Sequence, residues 1–247
     1  MGADSQFATY PSLKDRVVLI TGGATGIGEI LVESFTQQQT QVIFLDTADE
    51  AAEALIDRLS SASTHTPLYF RCDLTDSVEV AEKIAGIIAR FTTIDVVINN
   101  AGVDTRHKSE GVTPEFWDRC IAVNLKHQFF VSQAVVPGMK WQGREVILNM
   151  ISLQRMAAVN AMTGYTASRA EIASLTRRLA HELEPHAVSV ECVLPGAAES
   201  AQQRQHSYSE AYASGSPVNQ AARTDLRPDQ VEALAQLLTD DFNSLKD

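Results

Sequence analysis

The chain has 247 residues, 45% hydrophobic and 21% charged, with 31 acidic against 20 basic residues and a formal net charge of −11. That length suits a single α/β domain with a sizeable core, and the composition is too apolar for wholesale disorder. An acidic chain without a polybasic patch argues against nucleic acid and anionic membranes as partners.

Cys72, Cys120 and Cys192 are far apart and form no C-x-x-C, which fits reduced, buried thiols in a cytoplasmic protein and offers no zinc site. No apolar run approaches the roughly 18 residues that span a bilayer. Residues 1–10 lack the basic start and apolar stretch of a signal peptide and read as a frayed arm.

Strand-like and helix-like stretches alternate along the chain. Val17–Ile20 is a β-branched run ended by Gly22-Gly23, and a helix follows from Gly26 to about Gln37. Val42–Leu45 reads as strand, Ala51–Leu59 as helix, Pro67–Cys72 as strand, Ser77–Phe91 as helix and Asp95–Ile98 as strand. Continuous apolar runs of this kind suit strands covered on both faces, as in parallel sheets. A long helix is expected from Pro114 to Val136, stopped by Pro137-Gly138. Glu145–Ile151 reads as strand, Tyr165–Leu183 as a helix ended by Pro185, and Val188–Leu194 as strand. The Ser- and Gln-rich stretch 197–224 breaks the rhythm and reads as a substrate cover, before a last helix over 225–239. The whole, 1–247, reads as one doubly wound, Rossmann-type α/β domain with a parallel sheet.

Thr21-Gly22-Gly23-Ala24-Thr25-Gly26-Ile27-Gly28 lies between the first strand and the first helix. Its glycines allow a tight turn and close approach of backbone to a pyrophosphate at a helix N-terminus. Asp46 ends the second strand, where a carboxylate accepts adenine-ribose hydroxyls and repels a 2′-phosphate. No Lys or Arg stands at Gly23–Thr25 or at Thr47 and Ala48, so the expected cofactor is NAD rather than NADP. Asp73, ending the third strand, is a candidate for the adenine amino group or for a turn cap.

Tyr165 and Arg169 are four residues apart on one helix and face the same way. Ser152 follows the fifth strand, at the carboxyl end where ligands sit in this architecture. A free phenol has a pKa of about 10 and is a poor base at neutral pH, so such chemistry needs a fixed cation. Spacing alone leaves Tyr165 and Arg169 equally open as ordinary helix residues.

With these motifs the chain resembles the short-chain dehydrogenase/reductases from about Tyr10 to Asp241. The resemblance rests on Thr21-Gly22-x-x-x-Gly26-x-Gly28, Asn99-Asn100-Ala101-Gly102, Asn124 in Val-Asn-Leu, Ser152, Tyr165 and Pro195-Gly196. It implies Tyr165 as general acid/base, Ser152 as the group that polarises substrate oxygen, and Asn124 as holder of a relay water. It also implies that Asn100, Ala101 and Gly102 line the adenosine side, that Pro195 and Gly196 pack on the nicotinamide, and that Ser200 stands where the family usually has Thr. Tyr10-Pro11-Ser12-Leu13, Asp104-x-Arg106-His107 and the stretches 112–118 and 123–130 look like the NAD-dependent aldose 1-dehydrogenase branch, which oxidises sugars to lactones.

The sequence departs from the family in three ways. Arg169 replaces the lysine of Tyr-x-x-x-Lys, and arginine is not interchangeable with a point ammonium. The stretch after Gly196 is unusually rich in Gln and Ser, and the usual seventh strand and Gly-rich tail are not found before Asp247. The expectation is an NAD(H)-dependent oxidoreductase acting on a secondary alcohol, sugar hemiacetal or ketone, assembled as a homodimer or homotetramer. The alternatives are a nucleotide-binding protein with little turnover, and an oxoacyl- or polyketide-type ketoreductase. The six histidines, His127 among them, are scattered, are expected in solvated or capping roles, and suggest no metal.

Overall fold

The computed structural model describes residues 9–60, 64–105, 107–151 and 162–193. Arg106, Ser152, Pro195, Gly196, Ser200, the 197–224 cover, the helix over 225–239 and the question of a seventh strand lie outside the described residues, as do the first eight residues of the arm. Tyr10 at the end of that arm is anchored: its amide donates to Gln38 Oε1 at 2.8 Å, and Leu13 in the following 3-10 turn is fully buried.

Six parallel strands form one sheet in the order β3-β2-β1-β4-β5-β6. They are β1 (Val17–Thr21), β2 (Gln41–Asp46), β3 (Leu68–Arg71), β4 (Val96–Asn99), β5 (Val146–Met150) and β6 (Ser189–Val193). The helices are α1 (Gly26–Gln37), α2 (Asp49–Leu59), α3 (Ser77–Phe91), α4 (Pro114–Ile121), α5 (His127–Gln142) and α6 (Thr163–Leu183).

Every residue of β1, β4 and β5 is buried, because both faces of the sheet are covered. The pleat divides the side chains. Val18 and Ile20 of β1 join Leu31, Phe35 and Leu55 of α1 and α2 on one face. Val17 and Leu19 join Val80, Ile84, Val131, Val135 and Met139 of α3 and α5 on the other. The strand order reverses between β1 and β4, so a crevice opens at their carboxyl ends.

The expected helix over 114–136 is corrected in two respects. It is divided by a π-helical turn, Ala122–Lys126, and it runs through Pro137 to Gln142. Proline forfeits one helical hydrogen bond, but Val135 and Met139 on either side of it are both buried in the core, and their packing holds the last turns in place. The stop comes at Gly143, in the left-handed region with φ 75°.

A buried polar chain ties β4 and β5 to α6. Asn99 Nδ2 donates to Asn149 Oδ1 at 2.9 Å, Asn149 Nδ2 donates to Thr176 Oγ1 at 2.9 Å, and Thr176 in turn donates to the Ile172 carbonyl. Together these bonds fix the helix that carries Tyr165 and Arg169 relative to the sheet.

Candidate active site

At the carboxyl ends of β1, β2, β3 and β4 lies a cleft of about 380 Å³. The glycine turn forms one wall. Gly22 and Gly26 have φ of +66° and +62°, which side-chain-bearing residues rarely adopt. A Cβ at Gly28 would stand 1.8 Å from the Gly22 carbonyl oxygen, so α1 packs directly on the turn.

The Thr25 side chain does not cap α1, and the only acid in its first turn, Glu29, is paired with Arg58 at 2.7 Å. Among the described residues the first-turn amides of α1 thus have no capping side chain, which suits an anion such as a pyrophosphate.

The described site residues read from the sequence fall into two groups. Gly22, Thr25, Gly26, Ile27, Asp46, Asp73, Asn100, Ala101, Gly102, Tyr165 and Arg169 all line this cleft. Thr21, Gly28 and Asn124 stand behind it. Thr21 is fully buried, and its Oγ1 accepts from the Asn100 and Ala101 amides at 3.0 and 3.1 Å. The Asn100 side chain donates to the carbonyls of Thr21 and Gly22, bracing the turn. Asn124 lies in the π-helical turn; its amide clamps Val103, accepting at 2.8 Å and donating at 3.0 Å, and its carbonyl accepts from Gln128.

Asp46 is oriented by three backbone donors. Oδ2 accepts from Ala24 at 2.9 Å, and Oδ1 accepts from Thr47 and Ala48 at 2.7 and 3.1 Å. Asp73 Oδ1 accepts from the amide and hydroxyl of Thr75, bonds that hold its carboxyl below the usual carboxylate range. Asp73 is therefore a turn cap that also lines the cleft.

At the other end of the cleft, Arg169 is 94% buried by its 6% exposure, and Nη1 donates to the Met150 carbonyl at 2.5 Å. A Cβ on Gly102 would fall 1.9 Å from Arg169 Nη2, so only glycine admits the guanidinium here. Arg169 Cζ sits 5.2 Å from the Tyr165 ring centroid, and Nε has no partner among the described residues.

Two features escaped the sequence reading. His127 is neither solvated nor a cap: it is buried beneath the cleft, with Nε2 3.4 Å from Thr21 Oγ1. Thr21 already accepts two amides, so its own proton is the one directed at His127. Burial, and then the nearby Arg169 charge, push the imidazole pKa down to about 3. The second feature is Arg71, which parallel register sets opposite Asp46. Its Nη1 donates to Asp49 Oδ2 at 2.5 Å and to the Thr47 carbonyl at 2.9 Å. Arg71 lies outside the stretches contiguous with the turn and with Asp46, and strand register brings it there.

Among known proteins, the short chain dehydrogenase family profile matches residues 16–211. D-xylose 1-dehydrogenase of Caulobacter vibrioides is 40% identical over 238 residues, which span 96% of this chain and 94% of that protein. A probable galactose dehydrogenase of Rhizobium meliloti is 37% identical, over 76% of this chain and 73% of that one. The crystal structure of a metagenomic short-chain oxidoreductase in complex with NADP superposes with a TM-score of 0.79 at 27% identity, covering 94% of both chains. No described helix is long and apolar enough to cross a membrane.

Proposed function

The chain belongs to the short-chain dehydrogenase family, and on that premise we propose that it is an NAD(H)-dependent oxidoreductase acting on a secondary alcohol, sugar hemiacetal or ketone. Sugars oxidised at the anomeric carbon are the first substrate class to test, in view of the D-xylose and galactose dehydrogenases among its relatives. One observation carries the reading: the cleft lined at one end by the glycine turn and Asp46 is lined at the other by Tyr165 and Arg169.

The residues present fit a nicotinamide dinucleotide. The turn around Gly22 and Gly26 leaves room and uncapped amides for its pyrophosphate, Asp46 offers a carboxylate to the adenine ribose, and Asp73 lines the adenine side. When bound, the cofactor supplies the two-electron acceptor or donor.

This chain's part is the proton and the geometry. In oxidation the substrate O–H and carbinol C–H bonds both break as C=O forms: the hydride would leave to the bound cofactor and the deprotonated Tyr165 oxygen would take the proton, and reduction reverses both. Ser152 would hydrogen-bond the substrate oxygen and keep it in line. The buried Arg169 guanidinium, seated on the Met150 carbonyl, keeps a positive charge beside the phenol and toward the nicotinamide ribose. A relay water would use the Asn124 carbonyl, since the Asn124 amide is committed to Val103. Pro195, Gly196 and Ser200 are assigned to the nicotinamide side. The setting is cytoplasmic.

The assembly proposed is a homodimer or homotetramer. A groove between α5 and α6, lined by Phe129, Phe130, Leu175 and the adjoining Leu125, leaves Phe129 38% exposed and gives a second copy an apolar face.

A panel of sugars, secondary alcohols and ketones, offered with NAD, NADH and their 2′-phosphorylated counterparts, tests the reading. Turnover of a sugar with NAD supports it. Binding of NADH with no turnover of any compound favours a nucleotide-binding protein instead, and preference for a β-oxoacyl thioester favours the ketoreductase alternative.

A further inference from the structure

The NAD reading rests so far on Asp46 and on the lack of Lys or Arg at Gly23–Thr25, Thr47 and Ala48, yet a cation lies close to Asp46. Arg71 is the register partner of Asp46 on β3, and the two residues that follow it, Cys72 and Asp73, both line the cleft. An arginine at this point is within a side chain's length of the ribose carboxylate. Its planar fork matches a phosphomonoester, and free it would attract a 2′-phosphate.

It is not free. Arg71 Nη1 bonds both Asp49 Oδ2 and the Thr47 carbonyl, and neither Arg71 nor Asp49 lines the cleft. Asp49 is itself fixed. The Tyr69 hydroxyl donates to Asp49 Oδ1 at 2.6 Å and also reaches the Asp46 carbonyl at 3.2 Å, while the Tyr69 ring packs on Phe44 at 5.4 Å between centroids. Burial and the bond to Asp49 raise the Tyr69 phenol above its ordinary range, so it remains a donor. Asp49 thus accepts from two neighbours on β3, one rigid and one long and mobile in principle. The Arg71 and Asp49 side chains are 61% and 49% exposed, and exposed ion pairs are weak and separable.

We propose that Asp49 is a second determinant of cofactor specificity, one that latches Arg71 away from the ribose end of the cleft, and that Arg71 is a latent site for a 2′-phosphate. This rests on the NAD reading and extends it. Asp46 rejects the phosphate directly, and Asp49 withholds a nearby cation that would accept it.

The test measures dissociation constants of NADH, NADPH and the non-redox probe adenosine 2′,5′-bisphosphate by calorimetry. The proteins are the parent, Asp46→Ala, Asp46→Ala with Asp49→Asn, and that pair with Arg71→Ala. Asparagine keeps the shape of Asp49 and its acceptor for Tyr69. Asp46→Ala alone should leave NADPH weak. Adding Asp49→Asn should tighten NADPH and the probe severalfold, up to about fivefold, the most that releasing an exposed ion pair of about 1 kcal/mol allows. Arg71→Ala should then abolish that gain while NADH binding is unchanged. Equal NADPH affinity with and without Arg71 overturns the latch. A parent that prefers NADPH overturns the NAD reading and the latch with it, whereas a parent that prefers NADH, combined with an inert Asp49→Asn, overturns the latch alone. Asp49→Ser, which retains a short polar side chain at the start of α2, supplies the same comparison should the asparagine variant fail to fold.

Discussion

Arg169 lies over the ring of Tyr165, its guanidinium carbon 5.2 Å from the centroid, and it is held there by the Met150 carbonyl rather than by any carboxylate among the described residues. A buried cation whose Nε has no partner among the described residues is costly unless a ligand completes it. Ribose hydroxyls can accept from such a donor. The arrangement differs from a lysine in one physical respect: the guanidinium is planar and fixed at Met150, so its position relative to the phenol is set by the end of β5.

Tyr165→Phe should therefore reduce turnover by about 10²-fold or more, the range typical of acid–base groups, and leave NADH affinity within about threefold of the parent. Arg169→Lys gives up the bond to Met150 and gains a mobile point charge; turnover should rise, or its pH optimum should move. Both variants are to be compared with the parent across a pH series on the best sugar found. Full activity in Tyr165→Phe would show that another group moves the proton.

Two glycines provide a matched pair. At Gly28 an added Cβ meets the Gly22 carbonyl at 1.8 Å and Asn100 Nδ2 at 2.8 Å, both part of the turn that faces the pyrophosphate. At Gly86, on the exposed side of α3, it meets nothing within 4 Å. Gly28→Ala should weaken NADH binding by at least about tenfold and lower the melting temperature. Gly86→Ala should instead stabilise the fold by about 0.5–1 kcal/mol through helix propensity and the unfolded chain's entropy, without touching cofactor affinity. Denaturant melts and NADH titrations of both variants check this.

Much of this was legible in the sequence because the signals are local. Val17–Ile20 and Val42–Leu45 are uninterrupted apolar runs, and Ser77–Phe91 carries a helical stripe behind the Asp76 cap, whose carboxylate accepts from Val78 and Glu79. The glycine turn and Asp46 were legible for the same reason: backbone demands fix residue types at short spacing. Pro137 misled because its buried neighbours Val135 and Met139 outweigh a single lost hydrogen bond. His127 and Arg71 were invisible because their meaning depends on contacts distant in the chain, with Thr21 and with the Asp46 register.

The proposed assembly uses the face that α5 and α6 leave uncovered. Phe129 and Phe130 stand edge to face at 5.3 Å between centroids in a groove that Leu175, Lys126, Glu171 and Arg178 also line. If the homodimer or homotetramer uses this face, Phe129→Glu would place a charge on each side of the contact and should release smaller species at micromolar concentration, with the melting temperature of the monomer fold little changed. Light scattering of parent and variant checks it; a parent that elutes as a monomer contradicts the assembly.

His127 sets a pH dependence whose sign is fixed by its depressed pKa. In the unfolded chain an imidazole takes up a proton near pH 6.5, while in the folded protein burial and Arg169 delay protonation to about 3. Between these values the unfolded state binds the extra proton, so acid favours unfolding. The stability associated with neutral His127 is complete above about pH 6.5 and is lost as pH falls toward 3, at a slope of up to about 1.4 kcal/mol per pH unit. Asp73 acts lower, below the ordinary carboxylate range, and Glu145, whose buried carboxyl is raised, opposes the trend. The informative quantity is thus the difference between the parent and His127→Gln, in which those groups cancel and the bond from Thr21 still has an acceptor. Denaturant melts from pH 7 to 4 should show the parent losing stability faster than the variant, by close to one proton's slope. NADH binding, measured alongside, should show no His127-dependent weakening over the same interval, because the folded-state imidazole stays neutral until about pH 3. Parallel stability curves for the two proteins would mean that His127 is already protonated in the folded state or makes no difference there.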